Sequence, residues 1–140
     1  VVGEQPDEVE AALLNYGKFL GTAFQLTDDV MDYSSTSQEM GKSVGDDLSE
    51  GKVTLPLIYA MKNGSAEQSA LIKKAITSDD DSDYFDEVKL ALNETNALGY
   101  AHERSLEEAD KAIKSITILP ENQYKRALIA LAQLAAKRVS

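Results

Sequence analysis

The chain has 140 residues, 43% of them hydrophobic, and 24 acids against 14 Lys and Arg give it a net charge of −10. That length suits one domain with its own core, and the acidic balance argues against nucleic acid or an anionic membrane as the main partner. With no cysteine there is no disulfide framework or thiolate metal site, which fits a reducing compartment such as the cytoplasm.

No apolar stretch approaches the roughly 20 residues of a membrane span, and no signal-peptide pattern opens the chain. The chain starts on Val1, which points to a trimmed start or a piece of something longer. Pro6, Asp7 and Glu8 read as a helix opening, with acids suited to the positive end of the dipole. That helix is expected to run to about Tyr33. From Phe19 to Met31 its apolar residues cover nearly the whole circumference, the pattern of an enclosed helix. Gly17 and Gly21, four apart, allow a neighbouring backbone to come close.

Ser34 to Ser37 end the helix, and a loop with Gly41, Gly45 and Gly51 follows to about Lys52. Thr54 can cap a short helix with Pro56 in its first turn and Leu57 in the core, and Asn63-Gly64 stops it. Ser65 and Gln68 form a capping-box pattern ahead of Leu71, Ile72, Ala75 and Ile76. Asp79, Asp80, Asp81 and Asp83 make a solvated connection rather than a calcium loop, because Tyr84 and Leu90 stand where glycine and glutamate are needed. Helical spacing resumes at Phe85, Val88, Leu92 and Leu98, and Gly99 is the expected break. Leu106, Ala109, Ala112, Ile113 and Ile116 form another stripe. Pro120 is expected to restart a last helix carrying Leu128, Leu131, Ala132, Ala135 and Val139, packed rather than laid on a membrane. No period-two run is long enough for a strand, so the expected class is all-α with five to six helices.

The candidate chemistry starts in the first helix. Asp28 and Asp32 lie at i and i+4, with Asp29 beside them and Gln25 one turn earlier. Carboxylates in an otherwise apolar helix are costly unless compensated, and a hard cation such as Mg²⁺ is a natural compensation. Downstream, Lys42 and Lys52 lie in the glycine-bearing loop, where backbone freedom and compact positive charge suit phosphate. His102, the single histidine, is expected at the surface.

Together these residues carry a resemblance. The run FQxxDDxxDY from Phe24 to Tyr33, followed by GKxxGDDLxEGKxTLPL from Gly41 to Leu57, resembles the second aspartate-rich region of the trans-type polyprenyl diphosphate synthases. The likeness extends towards the C-terminus and is strongest to the members that make long quinone side chains. It implies a bundle of antiparallel helices around a deep cavity. It also implies that Asp28, Asp29 and Asp32 ligate Mg²⁺, that Gln25, Lys42 and Lys52 hold an allylic diphosphate, and that Asp46 orients Lys42 or a metal-bound water. The implied reaction ionises the allylic diphosphate, Asp28 and Lys42 assisting, and isopentenyl diphosphate attacks the cation. The full-length family enzyme is expected to be a homodimer.

The family's first aspartate-rich motif and its upstream basic residues have no counterpart here, so the chain is expected to be the C-terminal part of a single synthase domain. Such a piece is expected to self-associate and to turn over negligibly by itself. The alternatives are a non-catalytic partner subunit with the same fold and an unrelated helical binding module. Substitution of Asp28 would separate the last of these from a prenyl synthase.

Overall fold

A computed structural model describes residues 7–33, 48, 51–77 and 84–137. Six helices are defined there: α1 (Asp7–Met31), α2 (Leu55–Asn63), α3 (Ala66–Thr77), α4 (Phe85–Glu94), α5 (Ala97–Ser115) and α6 (Gln123–Lys137). No strand occurs among the described residues, in agreement with the all-α expectation. Pro6, the serines of the first loop and the acidic stretch Asp79 to Asp83 lie outside the described residues.

The described chain divides between two compact units. Residues 7–27 and 103–137 make one, and residues between 28 and 102 make the other, so that α1 and α5 each contribute to both. In the first unit the buried seam of α1, α5 and α6 is built largely from small residues: Ala23, Ala109, Ala135 and Ala136 pack with Leu20 and Phe24. Tyr16, Ala112, Ile116 and Ala132 form a second cluster there. The Tyr16 hydroxyl donates to the Leu128 carbonyl at 2.6 Å, and Thr27 Oγ1 donates to the Ala135 carbonyl at 2.8 Å. Burial pushes the Tyr16 phenol above its ordinary pKa, because phenolate would lose its water there. Lys125 closes the α5–α6 connection by donating to the carbonyls of Thr117 and Leu119 and to Glu121 Oε1. That pairing holds the Glu121 carboxyl below its ordinary pKa.

The second unit buries larger side chains. Tyr33, Leu48, Leu57, Ile72 and Leu92 are almost or fully inaccessible and share one cluster with Val88. The Tyr33 ring stacks on Phe85 with centroids 5.7 Å apart. Between α2 and α3 the expected capping box is formed in both directions: Gln68 N donates to Ser65 Oγ at 3.1 Å, and Ser65 N to Gln68 Oε1 at 2.8 Å.

Several boundaries differ from the sequence expectation. α1 ends at Met31 rather than Tyr33, and the Tyr33 N–H turns back to the Val30 carbonyl in a tightened last turn. The expected break at Gly99 falls instead at Thr95 and Asn96. Asn96 takes φ 59°, a left-handed conformation that asparagine tolerates, and Gly99 lies inside α5. A Cβ at Gly99 would collide with the Asn96 side chain, so this glycine serves close approach and not termination. Pro120 does not open the last helix. Asn122 does, its side-chain oxygen accepting from Lys125 N at 3.0 Å, and α6 starts at Gln123. Thr54 occupies the N-cap of α2 in extended conformation but makes no side-chain cap hydrogen bond.

The stretch from Phe19 to Met31, expected to be enclosed, keeps an open face at Gly21, Gln25 and Asp28, which continues towards the start of α1 through the exposed Gly17 and Leu14 at three- and four-residue steps. A Cβ placed on Gly17 or Gly21 would meet nothing within 4 Å among the described residues, so none of their backbone approaches there.

Candidate diphosphate and metal site

The aspartate motif closes α1, and its carboxylates lie in unequal surroundings. Asp28 is exposed, Asp29 is 6% exposed, and Asp32 is fully buried. The Asp32 N–H donates to the Asp28 carbonyl at 3.0 Å, so the helical path continues past Met31 and keeps the two aspartates one turn apart. The desolvation argument made for all three acids therefore applies to Asp29 and Asp32 and not to Asp28. Gln25 lies on the exposed face one turn before Asp28, so an amide and a carboxylate share that face.

Lys52 follows a tight turn. Leu48 is 2% exposed and its carbonyl accepts from Gly51 N at 2.9 Å. Gly51 has φ +71°, and a Cβ there would come within 3.2 Å of the Ile76 carbonyl oxygen, so both conformation and space favour glycine. The turn delivers Lys52, exposed, immediately before the N-terminus of α2. Asp28, Asp29, Asp32 and Lys52 all take part in interactions within the protein. Lys42 and Asp46 lie outside the described residues, as do Gly41, Gly45 and Glu50. His102 is half-buried on α5 and not plainly at the surface.

Among the described residues no group of three or more His, Asp or Glu converges as a ready-made metal cage. Mg²⁺ does not need one. It takes one or two carboxylates and completes its shell with water and phosphate oxygens. An exposed Asp28 with hard oxygen donors fits that cation better than it fits an ion requiring many protein ligands. A cavity of about 480 Å³ opens elsewhere, lined by Val9, Leu13, Leu119, Pro120, Tyr124 and Leu128 among others, and it includes none of the expected site residues. No described helix is long and apolar enough to cross a membrane. Thr54, expected only to cap α2, is 4% exposed and makes no side-chain cap bond, Pro56 in the first turn having no N–H to offer it.

An all-α fold carrying this aspartate helix agrees with the chain's relatives. Residues 1–95 match the polyprenyl synthetase family, and the chain belongs to that family. It is 51% identical over 138 residues to the octaprenyl diphosphate synthase of Haemophilus influenzae, an alignment covering 99% of this chain and 42% of that enzyme. The octaprenyl diphosphate synthase of Escherichia coli is 44% identical over the same shares. In structure it superposes on a polyprenyl synthase from Caulobacter crescentus, solved with calcium and isoprenyl diphosphate, with a TM-score of 0.88 and 32% identity. That superposition covers 97% of this chain and 42% of the other. The chain thus spans well under half the length of the relatives it matches.

Proposed function

We propose that this chain is the C-terminal part of a trans-type polyprenyl diphosphate synthase domain and contributes the second Mg²⁺–diphosphate site to the synthesis of a long-chain product, octaprenyl diphosphate for quinone side chains. The observation that carries the reading is the exposed Gln25–Asp28 face ending α1, with Asp29 and Asp32 buried behind it, in a member of the polyprenyl synthetase family. The product length draws on the 51% identity to an octaprenyl synthase.

Asp28, with Asp29 and Asp32 as further or water-mediated ligands, holds the cation. Magnesium, when bound, supplies neutralisation for charge on the diphosphate. The Gln25 amide and the Lys42 and Lys52 ammonium groups hold the diphosphate oxygens, and Asp46 orients Lys42. As the allylic C–O bond breaks, negative charge moves onto the departing diphosphate, where these cations oppose it and lower the barrier. The double bond of isopentenyl diphosphate then attacks the allylic cation, and loss of a proton leaves an E double bond. The full-length enzyme acts in the cytoplasm as a homodimer, and the 140 residues alone are inactive.

The test is a graft. The matching segment of the Haemophilus influenzae enzyme is replaced by these 140 residues, and turnover of farnesyl and isopentenyl diphosphates is measured with Mg²⁺. The graft is expected to make octaprenyl diphosphate, and Asp28→Ala within it to lower kcat by about 100-fold or more. Activity unchanged by Asp28→Ala would sink the assignment and favour a helical binding module.

A further inference from the structure

The outward sides of α5 and α6 differ in kind. On α5, Arg104 pairs with Glu107 at 2.6 Å and Lys114 with Asp110 at 2.9 Å, the pattern of a solvated face. On α6, the side away from the buried Ala132 and Ala136 carries Tyr124, Ala127, Leu131 and Leu134. These four follow at three- and four-residue steps and are all exposed, Tyr124 by 74% and Leu134 by 59%. That is the spacing of a seam on which another helix docks. The charged residues of α6 are all basic, and Arg126 and Lys137 lie exposed along one edge of the stripe.

The stripe adjoins the cavity of about 480 Å³, which Val9 and Leu13 of α1 line together with Leu119, Tyr124 and Leu128. Cavity and stripe belong to one compact unit. A hollow between two helices, continued by a heptad-spaced stripe, suits a convex helix better than a flat lipid surface. These residues keep the fold of the Caulobacter crescentus synthase over nearly their whole length but match less than half of it. More than half of such a synthase therefore lies outside them and is available to cover the groove.

We infer that the groove between α1 and α6, with the stripe from Tyr124 to Leu134, seats an amphipathic helix from the part of the synthase outside this chain. The apolar side of that helix fills the groove, and acids on its edge face Arg126 and Lys137. This inference rests on reading the chain as part of one synthase domain, and it adds the surface through which the two parts join.

The experiment compares Leu131→Gln with Leu134→Gln, made together, in the 140-residue chain and in the Haemophilus influenzae graft described above. In the chain both leucines are exposed, and Tm is expected to stay within about 2 °C at a dilution where light scattering shows monomer. In the graft they are covered, and Tm is expected to fall by about 5 °C or more. As a second readout, Leu134→Cys gives the chain its one cysteine, and alkylation there, followed by mass spectrometry, is expected to be about tenfold slower or more in the graft. A graft whose Tm and alkylation rate match those of the exposed site overturns the inference. If that same graft binds phosphatidylglycerol vesicles and loses them on substitution, the face belongs to a membrane instead. An equal fall of Tm in the chain alone marks packing within the chain or a second copy, and overturns it too. Neither readout uses turnover, so a folded but inactive graft counts against the diphosphate assignment and not against this surface. A graft without a cooperative melt removes the single-domain reading and this inference with it.

Discussion

Around Leu57 the inaccessible side chains are large, with Tyr33, Leu48, Ile72 and Leu92 in one cluster. Around Ala23 they are alanines, with Ala109, Ala135 and Ala136 making the seam. The two units bury apolar surface by different means. Small residues let helices run close together, but each removes little area from water. The long side chains of that unit are then found outside: Leu13, Leu14, Leu106, Ile118, Leu131 and Leu134 are all exposed, as is Tyr124. In the other unit only Val53, Ile58 and Leu90 are exposed large hydrophobics among the described residues. The aspartates and Lys52 belong to the unit with the filled core, where Leu48 anchors the turn before Lys52 and stacked Tyr33 closes the aspartate motif. The diphosphate site proposed there would need side chains held in place, and large buried anchors provide that. The alanine-seamed unit presents a surface suited to apolar contact.

The contrast can be broken from both sides. Leu57→Ala should cost about 2–5 kcal/mol, since a fully buried leucine leaves a cavity, whereas Ala23→Leu should cost about 1–3 kcal/mol by forcing closely packed helices apart. Denaturant unfolding of both variants measures this, and an Ala23→Leu variant as stable as the parent would show that the alanine seam is loose. A smaller effect on stability but a visible one on assembly is expected at the open face of α1. The chain should self-associate through its exposed leucines, and Leu13→Glu with Leu14→Glu should shift it towards monomer while changing stability by under about 0.5 kcal/mol. Light scattering across a concentration series reads this, and an unchanged mass distribution would place the apolar contact elsewhere.

How far the sequence carried the reading depends on whether local chemistry decided the outcome. The Ser65–Gln68 capping box was legible because both bonds join residues three apart. The helix-ending role went to Asn96 rather than Gly99, because either residue can take a left-handed turn and only the packed structure selects one. Pro120 looked like a helix opening, yet the Asn122 side chain supplied the cap two residues later. Within the site, the i, i+4 placement of Asp28 and Asp32 could be read directly. Their opposite burial could not, since it depends on which tertiary neighbours cover each face of α1. The same reason explains why an apolar circumference from Phe19 to Met31 suggested an enclosed helix while Gly21, Gln25 and Asp28 remain open. Thr54 matched a capping pattern and does occupy the N-cap, but whether its side chain makes the cap bond depends on the packed structure, where it does not.

The central claim, that these residues supply one part of a divided active site, is tested most directly by reconstitution. Farnesyl and isopentenyl diphosphates with Mg²⁺ would be supplied first to this chain alone. They would then be supplied to the chain mixed with the part of the Haemophilus influenzae enzyme outside the 42% it matches. The account predicts no turnover from the chain alone and prenyl chain extension on mixing. Turnover by the chain alone, or silence from a mixture in which both parts are folded and associated, would contradict it.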